Sequence, residues 1–383
     1  MADPIRVAHV MGKMVGGGVE QVVMNYYRHI DRSRVQFDFL VDADSTLVPK
    51  DEIESLGGRV FEIPPYQHQI AYQRELVRLF QEKRWSIVHS HINTLSVFSL
   101  RAAKQAGVPV RIAHSHATAG KGEFERNVMK YALRPFANLY PTHRFACSKY
   151  AGGWLFGKAP FDILVNAFDV SGFRFSESAR KKFREAHGID NATVLFGHAG
   201  RFAPPKNQAR LIRIFAKVVP QRPEAVLVLA GQGPDLRSCM ELAKGLNIED
   251  KVVFPGQCHD MAEFYSGIDM FLLPSTYEGL GLALVEAQAA GLPCLASSSV
   301  SQEANPTREV VFAECDDEQA WRSAMLSAQP RKRRGLTASE YQALKPFEIT
   351  DTAIWLASYY ENAVHESKKR IKIAAETRIG YDE

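Results

Sequence analysis

Short apolar runs of four to eight residues alternate with longer segments of helical spacing along nearly the whole chain. That alternation limits the fold more than any other feature, because strand–helix–strand units in series build parallel sheets covered by helices. Strands are expected near Ile5–Met11, Gln36–Val41, Arg59–Ile63, Ile87–Ser90, Val110–His114 and Arg144–Cys147. A second set is expected near Thr193–Ala199, Ala225–Ala230, Val252–Pro255, Met270–Pro274, Pro293–Ala296 and Glu309–Phe312. Each set opens the same way. Arg6-Val-Ala-His-Val-Met11 runs into Gly12 and Gly16-Gly17-Gly18, then a helix from about Val19. Thr193–Ala199 runs into Gly200-Arg-Phe-Ala-Pro-Pro-Lys206-Asn, then a helix from about Gln208. This weak internal repeat predicts two doubly wound α/β domains in tandem, with ligands outside the carboxyl ends of the strands and in a cleft between the sheets.

A length of 383 residues fits two domains. The boundary is expected around Asp169–Ala192, giving residues 1–168 and 169–349, with a terminal helix over 350–383 joining the first domain. An apolar fraction of 46% and a charged fraction of 23% are those of a soluble globular protein, and a net charge of +4 implies no nucleic-acid partner. Five scattered cysteines without a C-x-x-C pair point to a reducing compartment and away from a cysteine zinc site. With no signal-peptide shape and no apolar run near the roughly 18 residues of a membrane span, a cytoplasmic location is expected, at the inner face of the cell membrane if a surface is touched.

Two carboxylates, Glu278 and Glu286, lie eight residues apart in an otherwise apolar or small stretch, Pro274–Gly291. The helix expected from Gly281 has no polar face apart from Glu286, and a buried carboxylate needs a partner. A helix start preceded by Gly279 and Gly281 favours anions. Together these features suit a small, anionic, hydroxyl-rich ligand such as a nucleotide-sugar. Arg201 and Lys206, five residues apart on a loop at a strand end, can neutralise a diphosphate or simply be solvated surface charges. Gly16, Gly17 and Gly18 allow close approach to a phosphate or merely a tight turn; the spacing is not that of the dinucleotide fingerprint.

His89-Ser-His91 and His114-Ser-His116 repeat at successive strand ends, so alternate side chains point one way. A metal would want further ligands, and no supporting motif supplies them. One histidine contacting a ligand and the rest held by hydrogen bonds is the stronger expectation. Arg126, Lys130 and Arg134 form a basic stripe within Phe124–Tyr140, readable as a solvated helix face or as contact with an anionic membrane.

The Glu278/Glu286 spacing resembles the E-x7-E motif of the family 4 retaining glycosyltransferases, which have the GT-B fold. Gly200–Asn207 resembles that family's donor-phosphate segment, Val228-Leu-Ala-Gly-Gln-Gly233 its hydrophobic-GxG strand end, Val253–Gly256 and Ile268–Ser275 its last strands, and Gly16–Gly18 its N-terminal glycine loop. The resemblance implies two Rossmann-like domains facing a central cleft. It implies that Arg201 and Lys206 clamp the diphosphate, Glu286 binds the ribose, Glu278 contacts the transferred sugar, and the amides around Leu280, Gly281 and Leu282 meet the phosphates. Base selection falls near Gln257, and His116 or His114 lies near the reacting centre. Asn166-Ala167 stands where the family has Asn-Gly, and Pro204-Pro205 should stiffen the phosphate loop.

The implied activity is transfer, with retention, from a UDP- or GDP-sugar to a glycan or lipid-linked acceptor in bacterial surface polysaccharide synthesis. No cofactor and no metal are implied. A nucleotide-sugar hydrolase or epimerase of the same fold, or an inert binding protein, are the alternatives.

Overall fold

The computed structural model describes residues 3–116, 124–258, 260–330, 333 and 335–379, with the side chains of 124–127 and 371–379 outside the description. Thirteen strands are found among these residues: β1 Ile5–Gly12, β2 Val35–Asp42, β3 Arg59–Ile63, β4 Ile87–Ser90, β5 Val110–Ser115, β6 His143–Ala146, β7 Asp162–Ile163, β8 Leu195–Ala199, β9 Val226–Ala230, β10 Val252–Gly256, β11 Met270–Leu273, β12 Cys294–Ser297 and β13 Val310–Ala313. All twelve expected strands are present. The additional strand, β7, is two exposed residues long and carries no apolar signal to read.

The chain divides into two compact units, one of residues 3–116, 125–168 and 348–379, the other of 169–347. The first holds a seven-stranded sheet ordered β3-β2-β1-β4-β5-β6-β7, and the second a six-stranded sheet ordered β10-β9-β8-β11-β12-β13. Every pairing is parallel. Both sheets reverse direction of winding beside their first strand, between β1 and β4 and between β8 and β11. That is the doubly wound Rossmann order, and the reversal opens a crevice at the strands' carboxyl ends.

Parallel strands are covered on both faces, which is why they read as near-continuous apolar runs. In the second unit the helix Gln208–Val218 places Leu211, Ile212, Phe215 and Val218 against Leu227, Leu229 and Trp321. In the first unit one sheet face (Ala8, Val10, Val88, Ala113) packs on Leu76, Leu79 and Leu100. The opposite face carries His9, His89 and His114, with Phe37 beside them and Tyr360 of the helix Ile349–Ile379 packed on His9, His89 and Phe37. Phe168 and Glu348 form a parallel bridge where the chain leaves and re-enters this unit.

Candidate active site

The reversal point of the second sheet collects most of the expected site residues. Strand β8 ends at Ala199 and is followed by Gly200 and Arg201; β11 ends at Leu273 and leads through Pro274 to Glu278. The two loops are tied together. Pro205 accepts a hydrogen bond from the Thr276 amide at 2.8 Å, and the Asn207 side chain donates to the Pro274 carbonyl at 3.2 Å. Pro204–Lys206 forms one 3-10 turn, as two residues with fixed φ encourage, and Asn207 turns left-handed (φ 58°) to open the next helix. Lys206 is thereby carried to Glu278, where Nζ meets Oε1 at 2.6 Å. The Arg201 side chain is exposed on the same loop and makes no ion pair among the described residues.

The helix bearing Glu286 spans Leu282–Ala289 and is capped by Gly281 at φ 88°, a backbone region that costs a side-chain-bearing residue. Its first amides have no intrahelical partner, so Gly281 and Leu282 present donors where Glu278 enters. Leu280 is buried beneath them. The helix is buried on most sides, as its apolar neighbours suggested, while Glu286, Leu282 and Ala283 are partly exposed. Tyr265 donates to Glu286 Oε2 at 2.9 Å. Burial pushes the Glu286 carboxyl up to about 7, against the opposing pull of that hydroxyl and of Lys206. Gln257 is exposed directly after β10.

Tyr265 and His198 shape this site without having been expected there, and Gly231 of the hydrophobic-GxG strand end joins them. Tyr265 lies on an apolar helix and gives no sequence signal. His198, on β8, holds the Leu272 carbonyl through Nδ1 at 2.9 Å, while its Nε2 is buried without a partner and burial lowers its basicity to about 4. Gly231 (φ 140°) lets the end of β9 approach the Gly200–Asn207 loop: a Cβ there would stand 2.1 Å from the Gly200 carbonyl oxygen.

Gly16, Gly17, Gly18 and His116 belong to the other unit, at the carboxyl ends of β1 and β5. The amides of Val15, Gly16 and Gly17 donate to the Glu20 carboxylate at 2.8, 2.5 and 2.9 Å, while Gly18 begins the helix Gly18–His29. An anion is therefore held at this loop by the chain itself, and the expected phosphate role of the glycines requires Glu20 to give way. His116 is buried and bonded to His91, and His114 lies deeper, bonded to His89. Within the basic segment, Lys130 is half-buried, Arg134 stacks on Trp154 at 5.4 Å, and the Arg126 side chain lies outside the described residues.

Two family models match the chain, "Glycosyl transferase 4-like domain" over residues 17–152 and "Glycosyl transferases group 1" over residues 179–322. Glycosyltransferase EpsF of Bacillus subtilis is 36% identical over 308 residues, covering 78% of this chain and 80% of that protein. The chain belongs to the group 1, family 4-type glycosyltransferases. Another relative in sequence is the Escherichia coli UDP-Gal:alpha-D-GlcNAc-diphosphoundecaprenol alpha-1,3-galactosyltransferase, 22% identical over 77% of this chain and 79% of that protein. The fold of this glycosyltransferase matches the crystal structure of Anabaena HepE in complex with UDP-glucose, with a TM-score of 0.76, 18% identity, and coverage of 93% of this chain and 99% of that one. Its two Rossmann-like sheets are those of the GT-B fold.

Proposed function

We propose that this glycosyltransferase moves a sugar, with retention at the anomeric carbon, from a UDP-sugar to a lipid-linked acceptor during bacterial surface polysaccharide synthesis. The carrying observation is the meeting of Lys206, Glu278 and a glycine-capped helix start at the reversal point of the second sheet. Arg201 and Lys206 would face the diphosphate as it leaves, beside the free amides of Gly281 and Leu282. Fixed donors aimed at developing charge are commonly the largest catalytic contribution. Glu286 would hold the ribose hydroxyls and Glu278 the sugar being moved. They are then positioning carboxylates, and departure proceeds by a front-face, ion-pair-like path without a divalent metal.

The choice of UDP is supported by the nucleotides named for HepE and the E. coli relative, and the choice of acceptor by the latter's name. A peripheral place at the cytoplasmic membrane face is supported by exposed Val128, Met129, Tyr131, Phe136, Leu139 and Tyr150 close in sequence to Lys130 and Arg134, the mixture that suits an anionic lipid surface. No helix among the described residues is long and apolar enough to cross a membrane.

The deciding experiment is a thermal-shift screen with UDP-, GDP- and ADP-sugars, followed by transfer of labelled sugar to undecaprenyl-diphosphate-linked acceptors. A ligand at a hundred times its dissociation constant stabilises by about 2.7 kcal/mol. A shift with the UDP-sugar alone and product that retains configuration are the expected results. Absence of a shift with any nucleotide-sugar would sink the proposal.

A further inference from the structure

The first unit buries five histidines on one face of its sheet. His9 and His89 are register partners on β1 and β4, and alternation brings His91, His114 and His116 to the same side. Two hydrogen-bonded files result. In one, His9 Nδ1 lies 2.9 Å from His91 Nε2, and His91 Nδ1 lies 2.9 Å from His116 Nε2. In the other, the Tyr360 hydroxyl lies 2.7 Å from His89 Nδ1, and His89 Nε2 lies 3.2 Å from His114 Nδ1.

Burial keeps all five rings neutral: His9 and His116 are lowered to about 3, the others well below the ordinary value. A neutral imidazole has one N–H and one lone pair, so three rings with two links leave one proton over. It must sit on His9 Nε2 or on His116 Nδ1, the two nitrogens at the ends of the file that complete no hydrogen bond. His9 is wholly buried, with Phe37 at 4.0 Å and Phe39 at 6.0 Å between ring centroids. A buried N–H without an acceptor is the rarer and costlier arrangement. At the other end Asn166 stands beside the His116 ring, and its Oδ1 is an acceptor that also completes no hydrogen bond. The file therefore points one way: His9 donates to His91, His91 donates to His116, and the spare proton rests on His116 Nδ1.

We propose that His9 and His91 are positioning residues that lock His116 in its Nδ1–H tautomer, with Nε2 occupied by His91 and the Nδ1 proton turned toward Asn166, so that neither ring nitrogen is left to act as a base. The assignment of the tautomer rests on the hydrogen-bonded file together with the burial that keeps its rings neutral; its effect on turnover rests on the glycosyltransferase reading above.

The test is two-bond 1H–15N correlation on the full chain labelled at histidine, with His116 assigned from the spectrum of His116→Gln. His116 should show one set of signals, protonated at Nδ1. His91→Phe cuts both links and should release His116 into a tautomer mixture. His91→Gln, which can accept from His9 and donate to His116, should restore the single form. His9→Leu should release it too, and serves if His91→Phe fails to fold. In transfer assays His91→Phe should lower kcat about tenfold, the worth of one hydrogen bond, leave KM for the nucleotide-sugar within twofold, and be rescued by His91→Gln. Protonation of His116 at Nε2, or an unchanged tautomer in both His91→Phe and His9→Leu, would overturn the proposal. So would stoichiometric uptake of Co(II) with a ligand-field spectrum, since His9, His89 and His91, and again His91, His114 and His116, bring nitrogens within 4.8 Å of one another. If the tautomer shifts as expected but no nucleotide-sugar is turned over, the lock stands and the glycosyltransferase reading fails.

Discussion

Lys206 and Glu278 neutralise each other across 2.6 Å, with only 24% and 12% of their side chains exposed. In the proposed reading the cation that would face the diphosphate is already paired, so a bound donor would share or replace that pairing. Lys206→Ala removes the cation and leaves Glu278 repelling the phosphates, so transfer should fall about a hundredfold to a thousandfold. Lys206→Ala combined with Glu278→Gln should bind UDP more tightly than Lys206→Ala alone, because the repulsion goes too. Calorimetric titration of the single and double variants checks this, and equal affinities would contradict it.

Glu286 makes the second unit sensitive to pH. Its folded value of about 7 lies above the ordinary 4.5 because burial disfavours the charge. A carboxyl raised on folding stabilises fully below its unfolded value, and that contribution is lost as pH rises through the folded value. Stability should thus decline between pH 4.5 and 7, by up to about 3 kcal/mol. Asp42, pushed up to about 6 by burial, gives the first unit a trend of the same sign. Glu286→Gln isolates the first effect: urea midpoints of the second unit across this window should flatten in the variant.

Asp269 is the buried anchor of the second unit. It accepts from Arg184 at 2.6 Å, from Arg180 at 2.9 Å and from the Leu195 amide at 2.8 Å, joining the helix Glu177–Ala186 to the sheet. Asp269→Ala strands two buried guanidinium groups and should cost about 3–5 kcal/mol, read as a loss in the urea midpoint while the first unit unfolds as before.

Gly231→Ala places a methyl against the Gly200 carbonyl in a backbone region that side chains avoid. The Gly200–Asn207 loop must move away, so in the proposed reading KM for the donor should rise at least tenfold while the melting temperature drops by only a few degrees. Steady-state kinetics beside a thermal scan separates the two effects.

The sheets were legible because parallel strands buried on both faces leave unmixed apolar runs, and the site was legible because a few charged residues stand in otherwise apolar or small stretches that follow strands. Glu278, Glu286, Arg201 and Lys206 stood out for that reason. Tyr265 did not, since an aromatic on an apolar helix looks like core until its hydroxyl is seen on Glu286. The role of Glu20 was hidden as well: acidic residues are ordinary in a first helical turn, and only the fold shows its oxygens under three loop amides. His9 sat singly within Val7–Val10, and nothing in the sequence set it beside His89 and His91.

The bridge between Phe168 and Glu348 makes the second unit an insertion with adjacent ends. Residues 169–347 leave and rejoin their host at neighbouring backbone positions, so the segment can be lifted out as a cassette and another put in its place with two nearby seams. Recombination at those seams would exchange the unit bearing Glu278 and Glu286 while the histidine-bearing unit, with its closing helix, is inherited intact.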